Sequence, residues 1–566
     1  MKWKILPPAS DKWLSLCSDI PPLLAQLLYN RGIRDPSQIE PFLAADERLG
    51  ADPLLLPDMG RAVARILRAL INRETIAVYG DFDADGVTAT ALLSQGLSNL
   101  GGKVIPYIPH RIEEGHGLNS AALKKLSLEG VSLVITVDCG ISAYKEAKQA
   151  REMGLDLIIT DHHSVVGPLP PALAVINPKR DDSTYPFREL AGVGVAFKLL
   201  QQLFRTTGRG EHLDEFLDLV ALGTVADLVP LLGENRYLVK RGLEVLNTTN
   251  RLGIKELINC AGLKPGLIDT DTISYILAPR LNATGRLDHA LTSYDLLTTE
   301  SPDKAQQLAK LLELRNAERQ KLTDQILTQA EEKIKSLAPD TPLLMIGDKD
   351  FHIGVNGIVA SKLVDRFYRP ALVLELGEEE SRGSARSIPE FDLMAALSEC
   401  QEFLSHFGGH AQAAGFTLPS TNIGPLQEKL LAIAKDRLGS VELHPSLNIE
   451  AEVPLTSLGG QTFEFIKKLE PFGQANPVPV FLTRGVKLID CHQVGNENEH
   501  LKFKIREGEA VWDAIGFGLG KFYAQVSSSL DIVYNLRAEN WGGREFLELE
   551  ILDFAPAGEN SLRGVV

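Results

Sequence analysis

Three aspartates at alternate positions, Asp81, Asp83 and Asp85 in the run GDFDADG, are the residues of this chain best suited to chemistry. On an extended segment alternate side chains project to one side, so the three carboxylates would face one another and repel. All three can ionise only if positive charge is supplied. A single aspartate after a strand ordinarily caps the next helix or closes an Asx-turn; three together ask for more. A calcium loop of the EF-hand type does not account for them, because the twelfth position counted from Asp81 is Leu92 and not glutamate. Further acidic elements follow: Asp138 in VDCG, the triplet Asp161-His162-His163, and Asp227 at the end of GTVAD. Several carboxylates, one or two imidazoles and no thiolate form a hard oxygen and nitrogen donor set. It suits manganese or magnesium better than copper and leaves zinc open. Two such ions about 3.5 to 4 Å apart, bridged by one carboxylate, would share a water and lower its pKa.

These residues need a scaffold that brings distant segments together. Residues 75–79 (TIAVY), 104–108, 133–137 (LVITV) and 155–160 (LDLIIT) are short apolar, β-branched runs, and three of them end in the acidic loops just named. Helical segments such as 87–97 lie between them. Strands that are apolar throughout and alternate with helices predict a parallel sheet covered on both faces. In such sheets ligands bind beyond the carboxyl ends of the strands, which is where GDFDADG, Asp138 and the Asp161-His162-His163 triplet fall; Asp227 instead ends a helical run from Phe216.

Residues 1–70 are helical in tone, with turns at Pro21-Pro22 and Asp35-Pro36. The parallel-sheet domain is expected over 71–300. Residues 303–337 hold no glycine or proline and carry leucines and isoleucines at helical spacing; one continuous helix there would be about 50 Å long and would connect two lobes. A second α/β unit over 339–440 has strands at 343–346 and 371–376, a helix at 357–367 and the glycine-rich run GGHAQAAG at 408–415. Residues 441–566 change to alternation and glycine turns, which predicts a small β-barrel of the OB type. Within it Lys502, Lys504 and Arg506 alternate with Leu501, Phe503 and Ile505, a basic face backed by core, and Trp512, Phe517 and Trp541 offer stacking surfaces for bases.

Composition narrows the partners. Hydrophobic residues at 44% and charged residues at 23% are ordinary for a globular chain. The beginning, MKWKILPPAS, does not read as a secretory signal, and no run approaches the ~18 apolar residues of a membrane span. A cytoplasmic protein is expected. Cys17, Cys139, Cys260, Cys400 and Cys491 show no paired spacing, which argues against disulfides and zinc ribbons. The net charge of −16 opposes long-range steering of a polyanion, but a cage for cations concentrates carboxylates, and nucleic acid needs only a locally basic channel.

GDFDADG, VDCG, DHH and GTVAD, in this order, resemble the motifs of the DHH phosphoesterase superfamily. LAPRLNATGR (residues 277–286), FHIGVNGIVASKL and GGHAQAAG resemble the RecJ exonuclease family with its DHH-associated domain, and LEPFGQANPVPVF (469–481) resembles the entry to its OB-fold. The resemblance covers nearly the whole chain after residue 70. It implies a DHH parallel-sheet domain, a long connector helix, a DHH-associated α/β domain and a C-terminal OB-like barrel. It also implies metal ligation by Asp83, Asp85, Asp138, His162 and Asp227, with Asp138 as the bridge. Asp81 would complete the metal site, and His163 would face the scissile phosphate. Phosphate binding would fall to Arg111, Arg280, Asn282, Ser384, Arg386 and the Gly408-Gly409-His410 loop, with Arg386 the first choice. The implied activity is 5′→3′ digestion of single-stranded DNA to 5′-mononucleotides with two divalent ions, Mn²⁺ in preference to Mg²⁺, in repair and recombination. A single-strand-binding protein and a helicase are the expected helpers. Two departures stand out: His116 where relatives are expected to have tyrosine, and Ala475 where glycine is expected. The competing readings are a phosphodiesterase of short oligonucleotides or cyclic dinucleotides, and a non-catalytic replication scaffold.

Overall fold

The structure is a computed structural model that describes residues 1–111, 113–541 and 544–558. A first strand, β1 (Lys2–Ile5), opens a chain that divides into two compact units. One unit comprises Arg31–Ala317 with Ile466–Val478; the other comprises Met1–Asn30, Glu318–Phe465 and Pro479–Val566.

The first of these units is built on five parallel strands, β2 (Thr75–Gly80), β3 (Lys103–Tyr107), β4 (Val131–Val137), β5 (Asp156–Thr160) and β6 (Ala174–Ile176), in the order β3-β2-β4-β5-β6. Their uniform apolarity follows from burial on both faces. Ile76 and Val78 pack with Leu92, Leu93, Leu199 and Leu200 on one side, while Ala77 and Tyr79 pack with Leu123, Leu126, Ala147 and Ala150 on the other. Burying each large apolar side chain contributes about 1.5–3 kcal/mol, so the sheet is a rigid base. The register then decides where chemistry can occur. Gly80 lies beside Val137, and Val137 beside Thr160. Asp81, Asp138 and Asp161 therefore leave three neighbouring strands at one level, and the strand order reverses between β2 and β4, where open α/β sheets bind ligands.

In the other unit, β7 (Leu344–Asp348), β8 (Ala371–Glu375), β9 (Glu380–Arg386), β10 (His406–His410) and β11 (Ala413–Pro419) form a sheet in the order β10-β11-β9-β8-β7. β1 pairs in parallel with β12 (Ser446–Ile449), a strand that the helical tone of residues 1–70 does not announce. Four residues are too few for a period to show, and their partner lies more than 400 positions away. β13 (Ala451–Glu452), β14 (Val480–Val494), β15 (His500–Glu507), β16 (Ala510–Gly516), β17 (Ser529–Trp541) and β18 (Arg544–Pro556) follow. They run in the order β13-β14-β15-β16-β18-β17, and pairing of β14 with β17 closes the barrel. Leu501, Phe503 and Ile505 are buried, and Lys504 and Arg506 are exposed, as their alternation requires. Lys502 is tied to Glu548 at 2.8 Å. Phe517 is exposed beside the His500 ring, whereas Trp512 is half-buried. The turn glycines Gly542 and Gly543 and the side chain of Trp541 lie outside the described residues. The run without glycine or proline forms a single helix, Pro302–Ile334, and the boundary between the units falls inside it.

Ala475 stands in the left-handed region at φ 61°. The glycine expected there by resemblance has a conformational reason: a side chain in this region costs roughly 1–2 kcal/mol. Ala475→Gly should stabilise the fold by about 0.5–1 kcal/mol after the greater freedom of glycine in the unfolded chain is subtracted. A higher urea midpoint would be the result; an unchanged or lower one would show that the loop relaxes around alanine.

Candidate metal centre

Asp83 is the N-cap of the helix Ala84–Asn99: its Oδ1 accepts from the amides of Asp85 and Gly86, both at 3.0 Å. One carboxylate oxygen thus performs the ordinary capping task, and the other is left for a ligand. Asp85 points away from its own helix and is held by another. Its Oδ2 accepts from the Gly192 amide at 2.6 Å and its Oδ1 from the Val193 amide at 2.8 Å, at the N-terminus of the helix Gly192–Thr207. The amide of Ala84 donates to Asn282 Oδ1 at 2.7 Å, which fixes the start of the acidic turn.

Asp138 is 3% exposed and sits at φ 60°. Aspartate tolerates this region better than most residues, and strain of this kind gathers at functional sites. A Cβ on Gly192 would lie 2.5 Å from Asp138 Oδ1, so only glycine lets the helix approach the carboxylate this closely. Gly192→Ala should fold and still lose divalent-ion affinity by about ten- to a hundredfold, the usual effect of displacing a ligand's support. Titration of activity with Mn²⁺ reads this directly; an unchanged half-saturating concentration would contradict it.

His162 Nε2 lies 3.2 Å from Asp138 Oδ1 and 3.5 Å from Asp227 Oδ2. All three atoms are buried, and none makes a hydrogen bond. Burial, followed by the charge of His163, lowers the His162 pKa to about 3, so the ring is neutral and carries a lone pair on one nitrogen. A lone pair converging with two carboxylate oxygens is a ligand arrangement and a poor hydrogen-bond arrangement. Asp227 occupies the C-cap of the helix Leu217–Ala226.

The neighbouring histidine differs. His163 Nδ1 lies 2.8 Å from Asp161 Oδ1, and that contact raises its pKa to about 9. Asp161 also accepts from the amides of His162, His163 and Ile141. Burial pushes its carboxyl up, but these donors prevail and keep it below the usual range. The triplet therefore divides into one orienting aspartate, one neutral imidazole and one cationic imidazole.

Ligand atoms of Asp81, Asp83 and Asp138 lie within 4.8 Å of one another, as do those of Asp85, His162 and Asp227, and those of Asp138, His162 and His163. Asp138 and His162 each belong to two sets, so the atoms suit two adjacent cations better than one. Burial and then the charge of Asp83 raise Asp81 and Asp85 to about 7. Burial, Asp85 and Asp83 raise Asp138 and Asp227 as well. Such a cluster ionises fully only with added positive charge, and its buried, unpartnered oxygens on Asp81, Asp138 and Asp227 fit divalent ions.

The remaining candidates have definite positions. The charges of Asp81 and Asp83 act on Arg111, whose guanidinium lies 4.9 Å from the Phe82 ring centroid. His116 also rests on Phe82, with ring centroids 4.4 Å apart. Arg280 is bound through Nε to Glu313 at 2.6 Å. In the other unit, register sets Ser384, Gly415 and Gly408 in one cross-strand row, and Arg386, Ala413 and His410 in the next same-facing row; Gly409 lies between the rows on β10. A Cβ on Gly357 would be 3.2 Å from Arg386 Nη2, so the helix Ile353–Phe367 covers that row. Sequence reasoning assigned no role to Gly192, Val193 or Asp161. The signal for the first two was present as a Gly-x-Gly pair opening an apolar helical run.

A parallel sheet with carboxylates and histidine gathered past its strand ends defines a metal-dependent phosphoesterase of the DHH class. Residues 75–224 match the model of the DHH family N-terminal domain, residues 340–438 the DHHA1 domain, and residues 449–553 the RecJ OB domain. The chain is 41% identical over 561 residues to the single-stranded-DNA-specific exonuclease RecJ of Bacillus subtilis, covering 98% of this chain and 71% of that protein. It is 33% identical to the Escherichia coli RecJ, covering 96% of this chain and 98% of that one. The crystal structure of Thermus thermophilus RecJ in complex with Mn²⁺ superposes with a TM-score of 0.84 at 28% identity, over 99% of this chain and 80% of that chain. The chain belongs to the RecJ family of single-stranded-DNA-specific exonucleases.

Proposed function

We propose that this protein digests single-stranded DNA from the 5′ end and releases 5′-mononucleotides, as a cytoplasmic enzyme of repair and recombination. The observation that carries this reading is the sharing of Asp138 and His162 between neighbouring sets of ligand atoms. Asp83, Asp85, Asp138, His162 and Asp227, with Asp81 beside them, would hold two divalent cations, Mn²⁺ in preference to Mg²⁺, Asp138 and His162 being the residues that belong to two sets of ligand atoms. When bound, the cations acidify water and withdraw charge from the phosphoryl oxygens.

The chain's own residues do the rest. Asp85, held at both oxygens by backbone amides, cannot swing out as substrate arrives. His163 is cationic at neutral pH, and with Nδ1 committed to Asp161 its remaining N–H is available to a phosphoryl oxygen. Arg111, Arg280 and Asn282 serve the phosphate-binding side; Asn282 also accepts from the Ala84 amide at the head of one helix, and Arg280 is paired with Glu313 on the long helix. Ser384, Arg386, Gly408, Gly409 and His410 hold backbone phosphates, a role supported by the two same-facing rows that carry Ser384, Gly408, Arg386 and His410, with Gly409 between them. The acidic net charge supports delivery of the strand by a single-strand-binding protein and a helicase.

The test uses a long single strand labelled separately at each end, with Mn²⁺ supplied or chelated. The 5′ label should appear at once as a mononucleotide, only with the ion present, while the 3′ label stays on long products. Early release of the 3′ label would reverse the assigned polarity. Faster cleavage of a dinucleotide than of the long strand would make this a phosphodiesterase of short oligonucleotides.

A further inference from the structure

Residues 469–477, LEPFGQANP, contribute no side chain to the acidic cage, yet they belong to the unit that contains it. Arg236 is fully buried and gives its guanidinium to the carbonyls of Leu469 at 2.7 Å, Glu470 at 2.7 Å and Lys468 at 3.1 Å, and to Phe42 at 2.7 Å. Asn476, also fully buried, donates to the Leu469 and Pro471 carbonyls and accepts from Arg31 Nε at 2.6 Å. A buried guanidinium is tolerated only when its donors are met. Here successive backbone carbonyls meet them, so the segment is held in one conformation as a strap.

The strap ends against the turn that follows Asp227. The Leu231 amide donates to the Gln474 carbonyl at 2.8 Å. A Cβ on Gly473 would stand 2.6 Å from Leu231 Cδ1, and Leu231 is only 2% exposed, so its side chain would have to shift inside the core. The turn itself is stiff: Leu228 stands at φ 58°, Pro230 fixes its own backbone, and Asn235 Nδ2 donates to the Pro230 carbonyl at 3.1 Å. This short turn is the path by which Leu231 is joined to Asp227.

We propose that residues 469–476 are a positioning strap of the metal centre, in which Gly473 and the Gln474 carbonyl set Leu231 and, through the turn 228–231, the Asp227 carboxylate. This rests on the reading that Asp227 holds a cation. The same stretch of chain runs on into β14.

The experiment is a Mn²⁺ titration of the full chain followed by the electron paramagnetic resonance signal of the free ion, beside melting and single-strand affinity measured with the ion chelated. Asp227→Ala identifies the site concerned. Gly473→Ala should weaken that same site by about tenfold and leave single-strand affinity within twofold. Leu430→Ala, a truncation in the core of the other unit, should lower the melting temperature and leave Mn²⁺ affinity unchanged. Gly473→Ala binding Mn²⁺ like the parent, while Asp227→Ala does not, overturns the strap alone. Equal weakening in Gly473→Ala and Leu430→Ala overturns it too, as a general loss of stability. Parental affinity in Asp227→Ala removes the assignment of Asp227 and the strap with it. Should Gly473→Ala fail to fold, Arg236→Lys, which keeps the charge and gives up the fork, is judged by the same criteria.

Discussion

Asp138→Asn is expected to lower Mn²⁺-dependent release of nucleotides by roughly 10³-fold or more, because the carboxylate shared by two sets of ligand atoms is the hardest one to replace. Asparagine is the informative substitute: it keeps the shape of the side chain and, like aspartate, accepts the left-handed backbone found at φ 60°. The same change should raise the melting temperature of the chelated protein by several degrees. Asp138 is pushed up by burial and then by the charges of Asp85, Asp83 and Asp227, so folding must put a proton on a carboxylate that the unfolded chain ionises, a cost that neutral asparagine does not carry. Activity and stability then move in opposite directions, which a folding defect cannot imitate. Retention of more than a tenth of the activity, or lower activity together with lower stability, would sink the assignment.

Legibility in the sequence followed the range of the interactions. Asp81, Asp138 and Asp161 were recognisable because each follows an apolar run, and position after a strand is a local property. Their shared level was not, since it depends on the register of β2, β4 and β5, a property of pairs of strands. Asp85 was named as a metal ligand from its motif, but its two amide donors lie more than 100 residues downstream, at Gly192 and Val193. Arg280 was read as a phosphate ligand from its type and motif, and its 2.6 Å contact with Glu313 on the long helix has no signature in the sequence. The strap at 469–477 was read as an entry to the barrel, which its position in the chain supports; its attachment through Arg31 and Arg236 is a tertiary fact. Local chemistry was thus open to reading, and the long-range supports of that chemistry were not.

The metal-free protein should lose stability as pH rises, the reverse of ordinary acid denaturation. Asp81 and Asp85 have pKa values of about 7 in the fold against an ordinary 3.8, raised by burial and then by Asp83. Between roughly pH 4 and 7 the folded state therefore holds protons that the unfolded chain has released, and stability falls with pH wherever this is so. Their contribution is complete below about pH 4 and gone once pH passes 7. Every tenfold by which the fold holds a proton more tightly than the unfolded chain corresponds to ~1.4 kcal/mol. With several carboxylates repelling one another, the melting temperature in chelator should drop by about 10 °C or more between pH 5 and 8. Mn²⁺ at a hundred times its dissociation constant restores about 2.7 kcal/mol, and more at high pH, where protons no longer compete for the carboxylates. Melting curves at several pH values, in chelator and in Mn²⁺, should diverge toward alkaline pH, and Asp138→Asn in chelator should show a shallower slope than the parent. Parallel curves with and without the ion would mean that these carboxylates are neutralised from within the protein, and the two-cation reading would lose its electrostatic basis.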